Sequence, residues 1–225
     1  MQHSDKLRLA YKDYQIGGEC FHIRSLLDPQ QYADPEGVAR RMGIGPANWS
    51  LFGVVWPSGQ MLAQLMGTYA VDGLRILEVG CGLALASLVL QRRGADITVC
   101  DYHPEMPMFL KNNTALNALA DISVISGDWN VEARDSERFD LIIGSDLLYE
   151  RDHHDQLSAF IDRHAKADAS VIIVDPNRGH VGKFNRSMEA LGYECSERPA
   201  RAELADHEPY RGRILCYRRS ETLIL

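Results

Sequence analysis

Several short segments of this chain combine acids and glycines in the manner of a ligand site. The first is Glu78-Val79-Gly80-Cys81-Gly82. Its glycines let backbone approach a bound molecule closely, and a helix starting at Leu83 would point free N–H groups into the same space. A carboxylate two residues before the first glycine does not help a pyrophosphate. It suits a ligand with a cationic group, such as the amino group of an amino acid. The third glycine of the dinucleotide pattern G-x-G-x-x-G would fall on Leu85, which that fold rarely tolerates. Asp101 follows at the offset of about 20 residues where an acid grips ribose hydroxyls, with Tyr102 beside it. Asp128-Trp129 offers a carboxylate for the exocyclic amine of adenine and an indole as its apolar wall, although an indole there also serves plain core packing. Ser145-Asp146-Leu147-Leu148-Tyr149 and Asp175-Pro176-Asn177-Arg178 complete the series. Glu78 ahead of Gly80 and Gly82, with Asp101 further on, points to S-adenosylmethionine. A nicotinamide dinucleotide and a purely structural turn are the alternatives.

The elements that must position these residues are legible as texture. Arg75–Val79, Ile97–Cys100, Ile122–Ile125, Phe139–Ile143 and Ser170–Val174 are short apolar or β-branched runs, the pattern of parallel strands buried on both faces. Helical segments are expected over Leu83–Arg93, ending at Gly94, over Pro104–Leu119, and over Asp152–Lys166 with Asp152 as N-cap. This alternation implies right-handed crossovers and an α/β, doubly wound, mostly parallel sheet. A further helix over Val181–Leu191 precedes two closing strands, Tyr193–Arg198 and Gly212–Arg218, antiparallel and joined by a polar loop over 199–211. Pro57–Tyr69 reads as an amphipathic helix with proline in its first turn. Residues 1–45 read as an N-terminal appendage with a hairpin at Gly17-Gly18, and 46–225 as the main domain. In such a sheet, ligands bind at the carboxyl ends of the strands near the switch in strand order. The acid-bearing segments above all fall at strand ends.

Leu77-Glu-Val-Gly-Cys-Gly82 resembles the first motif of the seven-stranded S-adenosylmethionine-dependent methyltransferases, E/D-x-G-x-G-x-G, with Ala84 at its last glycine. Asp146-Leu-Leu-Tyr149 resembles the Asp-x-x-Tyr motif of the protein-lysine branch, as does Val55-Trp56-Pro57-Ser58-Gly59 upstream. Asp175-Pro-Asn-Arg178 is similar to the electron-transfer-flavoprotein lysine methyltransferases of that branch. The resemblance covers roughly residues 50–195. It implies a Rossmann-like seven-stranded sheet with an antiparallel last strand. It also implies S-adenosylmethionine held by Trp56, Glu78, Gly80, Cys81, Gly82, Asp101, Tyr102, Asp128, Trp129 and Ser145. Asp146 and Tyr149 would then be the catalytic pair, orienting an amine. An aromatic ring beside a sulfonium gains about 0.5–2 kcal/mol of cation–π attraction, the role the resemblance gives Trp56; a hydrophobic lid is the other reading.

The acceptor implied is a lysine ε-amine of a protein, with a small-molecule amine, or a cofactor-binding scaffold without turnover, as alternatives. Nucleobase and glutamine-amide sites use N/D-P-P-Y/F, where this chain has Leu147-Leu148. A net charge of −7 argues against a nucleic-acid partner, and no apolar run is long enough to span a membrane. His153-His154 are adjacent and diverge on a helix, so no metal is expected. Five cysteines without a CxxC pair, and no signal-peptide core, suggest reduced thiols in a cytoplasm.

Overall fold

The computed structural model describes residues 7–28, 51–125, 127–129, 138–149, 153–177, 179–204 and 209–219. The chain begins with a hairpin of β1 (Leu9–Ile16) and β2 (Glu19–Leu26), turned through Gly17 and Gly18. Both glycines have positive φ, +62° and +86°, as a tight two-residue hairpin turn requires. The following elements alternate as expected: α1 (Pro57–Thr68), β3 (Arg75–Val79), α2 (Leu85–Arg92), β4 (Asp96–Cys100), α3 (Met106–Leu116), β5 (Ser123–Val124), β6 (Phe139–Ser145), α4 (His153–His164), β7 (Ala165–Asp175), α5 (Val181–Ala190), β8 (Glu194–Ala202) and β9 (Tyr210–Arg218). Seven strands form one sheet in the order β5-β4-β3-β6-β7-β9-β8, with β9 antiparallel to both of its neighbours and the other pairs parallel.

Alternation along each strand divides the core into two layers. Ile76, Val99, Ile143 and Val174 face α1, α2 and α3, through Leu62, Met66, Leu88 and Phe109. Leu77, Val79, Ile142 and Ile173 face α4 and α5, through Leu157, Phe160, Phe184 and Met188. The chain builds outward from β3 to β5 and then returns to place β6 on the other flank of β3. The switch point therefore lies between β3 and β6.

Several boundaries differ from the sequence reading. The helix expected to run to Lys166 ends at His164, and β7 starts at Ala165 rather than Ser170. Ala165 pairs with Phe139 across a register shift, and Lys166 donates to Asp140 Oδ2 at 2.8 Å, so pairing overrides local helical preference. Of the polar segment expected as loop 199–211, residues 199–202 and 210–211 are strand on β8 and β9, whose outer face is exposed. Asp152 lies outside the described residues.

The hairpin packs on the domain. Phe21, Ile23 and Leu26 are buried in the first layer. Two amides, Asn113 of α3 and Asn117 just after its last residue, serve the free edge of β2 as a neighbouring strand would. Asn117 Oδ1 accepts from His22 N–H at 2.9 Å while Asn117 Nδ2 donates to His22 O at 2.7 Å. Asn113 does the same for Arg24, at 2.8 and 3.3 Å. Asn117→Ala is expected to cost about 1–3 kcal/mol, because two backbone groups lose their partner. That lowers the Tm of a chain this size by several degrees, measurable by thermal denaturation; an unchanged Tm would contradict the assigned role.

Candidate active site

The loop leaving β3 is shaped by three left-handed residues, Gly80 (φ +60°), Gly82 (φ +53°) and Ala84 (φ +60°). Ala84 thus keeps the backbone conformation that a glycine at this position adopts without strain. Two features lock the loop. Cys81 N–H donates to Cys100 O at 3.1 Å, and Gly82 N–H donates to Asp101 Oδ2 at 2.8 Å. A Cβ on Gly82 would meet nothing within 4 Å, so the loop opens onto free space there. A Cβ on Gly80 would stand 2.5 Å from Leu147 Cδ2, and one on Gly144 would stand 2.6 Å from Leu147 Cδ1. Leu147 is therefore a wedge between β6 and the glycine loop, and both glycines are needed to admit it. It fixes the start of the segment Asp146–Tyr149 against the loop leaving β3. Sequence reasoning used Leu147 only to exclude a proline motif.

The acids at the strand ends are held tightly. Asp101 divides its carboxylate between two backbone donors, Gly82 N–H on Oδ2 and His103 N–H on Oδ1, each at 2.8 Å. Burial raises its pKa, opposed by backbone bonds from His103, Gly82 and Tyr102. A carboxylate offers about four lone-pair sites, so Asp101 keeps acceptor capacity for a further donor. Glu78 is 3% exposed and lies on the same side of β3 as Ile76, toward α2. Its Oε2 accepts Ser87 N–H at 3.0 Å and the Ser87 hydroxyl. Burial pushes its pKa up to about 7 against these bonds, with the nearby Asp101 charge adding to the rise. Sequence reasoning missed Ser87, whose only signal was a hydroxyl in the first turn of α2. The Cys81 and Cys100 thiols are pushed well up by burial and by the adjacent carboxylates. They stay protonated, and Cys81 contributes its backbone while its side chain joins the core.

Beyond the end of β4, burial lowers the His103 pKa to about 3, so its ring is neutral. Its ring stacks on Phe52 at 4.0 Å, which anchors the segment before α1 to the Asp101 loop. Gly127 approaches the same loop so closely that a Cβ would stand 2.2 Å from Asp101 C and O and 2.6 Å from Tyr102 N. Gly127→Ala must displace Asp101, and at least a tenfold loss of S-adenosylmethionine affinity is expected in calorimetric titration, about the worth of one charge-assisted bond. An unchanged affinity would mean that Asp101 does not hold the ligand.

The remaining expected residues fall into place less uniformly. Ser145 ends β6 under the first turn of α1, its Oγ 3.6 Å from where a Cβ on Gly59 would stand. Asp146 follows with φ +54°, its N–H donating to Val174 O at 2.9 Å, and both it and Tyr149 are half-buried. Asp128 is half-buried beside Gly127, and Tyr102 is exposed. Trp129 packs toward α4, its ring centroid 6.4 Å from that of Phe160. Trp56 is 37% exposed, and its indole N–H donates to Leu51 O at 2.9 Å. The structure draws together Glu78, the glycine loop, Asp101, Gly127 and the start of the Asp146 segment, whereas the two indoles lie against their own neighbours. Arg178 lies outside the described residues. Asp13, Cys20 and His22, on the hairpin, bring three possible metal-ligand atoms within 4.8 Å of one another, but there Asp13 Oδ1 already pairs with His22 Nδ1 at 2.6 Å.

A family model described as lysine methyltransferase matches residues 46–188, more than half of the chain. The chain belongs to the lysine methyltransferase family. The match runs from before α1 into α5, so it takes in every strand end of the site and leaves out the hairpin β1–β2 and the pair β8–β9. Among curated relatives, the electron transfer flavoprotein beta subunit lysine methyltransferase of Danio rerio is 28% identical over 151 residues, 64% of this chain and 57% of that protein. The histone-arginine methyltransferase METTL23 of Rattus norvegicus is 27% identical over 154 residues, covering 64% of this chain and 66% of that protein. The chain thus spans between half and two thirds of the length of these curated relatives. A ribosomal protein L11 methylase structure from Lactobacillus delbrueckii subsp. bulgaricus superposes with a TM-score of 0.57 at 21% identity, covering 72% of this chain and 78% of that one, and so shares the fold. The cofactor of the lysine methyltransferase family is S-adenosylmethionine, and this site fits it. An open glycine loop, a buried acid at the end of β3 and an acid with spare lone pairs at the end of β4 converge at the switch point.

Proposed function

We propose that the chain transfers the methyl group of S-adenosylmethionine to the ε-amine of a lysine in a protein. The observation that carries this reading is the Leu147 wedge, which holds the Asp146–Tyr149 segment directly against the glycine loop. Asp101 would accept from the ribose hydroxyls, and Glu78, buried beneath the loop, would answer the charge of the amino-acid end. Asp128 and Trp129 would border adenine, and Trp56 and Tyr102 the rim. When bound, the cofactor supplies an activated methyl on a sulfonium, so the protein's work is alignment.

The acceptor must reach that methyl as a neutral amine, although free lysine has a pKa near 10.4. Desolvation in a narrow entry and the sulfonium charge both lower that value. Asp146 orients the N–H bonds and helps pass the released proton to water, while Tyr149 forms a wall with its hydroxyl near the nitrogen. The family description favours lysine over the arginine acceptor named for one relative. The free cysteines are consistent with a cytoplasmic setting. Among the described residues no helix is long and apolar enough to cross a membrane.

Asp146→Asn tests the reading. Cofactor affinity is expected to stay within about threefold of the parent, while transfer falls by about 100-fold or more, the scale of a lost orienting or proton-accepting group. Weakened cofactor binding with unchanged single-turnover transfer would assign Asp146 to the cofactor and overturn its acceptor role.

A further inference from the structure

The strand pair β8–β9 lies beyond the part of the chain that the family model matches, and it carries an arginine-lined groove that the chemistry above does not use. We infer that this groove docks an acidic segment of the protein substrate, beside the lysine to be methylated, an inference that rests on the proposed function. The groove measures about 890 Å³ and runs along residues 197–203, at the end of β8, and 209–213, at the start of β9, to Asn177, just past β7.

Its charge pattern is specific. In the β8–β9 register Arg201 stands directly opposite Arg211, and Pro199 opposite Arg213, so these side chains share one face. All three arginines are exposed. Arg213 is answered from within, by Glu197 Oε1 at 2.5 Å and Asn177 Oδ1 at 2.9 Å. Among the described residues the Arg201 and Arg211 guanidinium groups make no hydrogen bond or ion pair. Like charges directly opposite on a sheet are destabilising. A pair of like charges that no described residue answers, on a chain of net charge −7, is poised for an external anion.

The groove also lies on the correct edge of the sheet. Arg213 pairs with Asp175, the last residue of β7, and Asn177 Nδ2 donates to Arg211 O at 3.4 Å. Tyr210, next to Arg211 and so on the other face of β9, anchors this end of the strand pair to the carboxyl edge: its hydroxyl lies 3.0 Å from Ser58 Oγ in the first turn of α1, the turn whose Gly59 rests on Ser145. Arginine groove and Asp146 segment therefore open on the same carboxyl edge. A bound segment would present its lysine to Asp146 and its flanking carboxylates to Arg201 and Arg211, whose planar forks match carboxylates bidentately. A peptide fits better than a nucleic acid. Glu197 and Glu203 also line the groove, and the acidic chain repels a long polyanion. Pro199 removes a donor from β8, an edge strand, so recognition falls to side chains rather than to strand addition.

The test is fluorescence anisotropy of a labelled Glu/Ser peptide that contains no lysine, titrated with the full chain, so that binding is read without methyl transfer. Arg201→Gln/Arg211→Gln is expected to weaken binding about tenfold, as is replacing the peptide's Glu by Gln, and both effects should shrink with added salt. Equal binding by parent and double variant, no binding of the Glu peptide to the parent, or preferential binding of an oligouridylate of equal charge would each overturn the inference. Peptide binding that persists in a chain incapable of methyl transfer would instead sink the proposed function while leaving the groove in place.

Discussion

Asp101→Ala is expected to lower S-adenosylmethionine affinity by at least about 100-fold, the equivalent of two charge-assisted hydrogen bonds. The effect is large because Asp101 has two duties. Its oxygens fasten Gly82 N–H and His103 N–H, and in doing so join the glycine loop of β3 to the loop leaving β4. The same oxygens are the ribose acceptors in the proposed complex. Alanine removes both at once, so the loop must be ordered at the expense of binding energy. Asp101→Asn should lose less, since its carbonyl oxygen can keep one of the two backbone donors. Calorimetric titration, with circular dichroism confirming the fold, reads the result. An affinity within threefold of the parent in a folded Asp101→Ala chain would remove Asp101 from the cofactor site.

Glu78 governs a second large effect, on pH dependence. Its pKa is about 7 in the folded chain against an ordinary 4.5, so the folded state holds a proton that the unfolded state has lost. The stabilising proton is fully retained below about pH 4.5, and stability falls as pH rises from there toward 7, by on the order of 3 kcal/mol, with little further loss above. Glu78→Gln should therefore raise the Tm of the ligand-free chain at pH 8 and leave it nearly unchanged at pH 4.5. The amide keeps an oxygen for the Ser87 donors. Binding reverses the logic. A cationic cofactor near Glu78 favours the carboxylate, so binding near pH 6 should release a proton, and affinity should rise with pH up to about 7. Titrations in buffers of different ionisation enthalpy count that proton. Absence of proton release in the parent, or the same release in Glu78→Gln, would separate Glu78 from the ligand's charge.

The parallel core of the sheet was legible because strands buried on both faces carry unbroken apolar runs such as Ile76-Leu77 and Val171–Val174. The glycine loop and Asp101 were legible because a left-handed turn and an acid at a strand end leave local marks. What was not legible depends on pairs distant in sequence. Nothing near Leu147 announces that it fits between Gly80 and Gly144. Nothing near Asn113 or Asn117 says that their amides will complete the edge of β2. The extension of β7 back to Ala165 follows from pairing with Phe139, not from local preference. The Arg201–Arg211 pair appears only once register is known, since the sequence shows merely a polar stretch.

Methylation of protein lysine at this site is tested by the identity of the product. Purified chain, methyl-labelled S-adenosylmethionine and a dialysed protein extract are incubated together, and the labelled protein is hydrolysed to amino acids. Label is expected in ε-N-methylated lysine, abolished in Asp101→Ala and strongly reduced in Asp146→Asn. Label in methylarginine, label only on small molecules when the extract is left undialysed, or no transfer by a chain that binds the cofactor would contradict it.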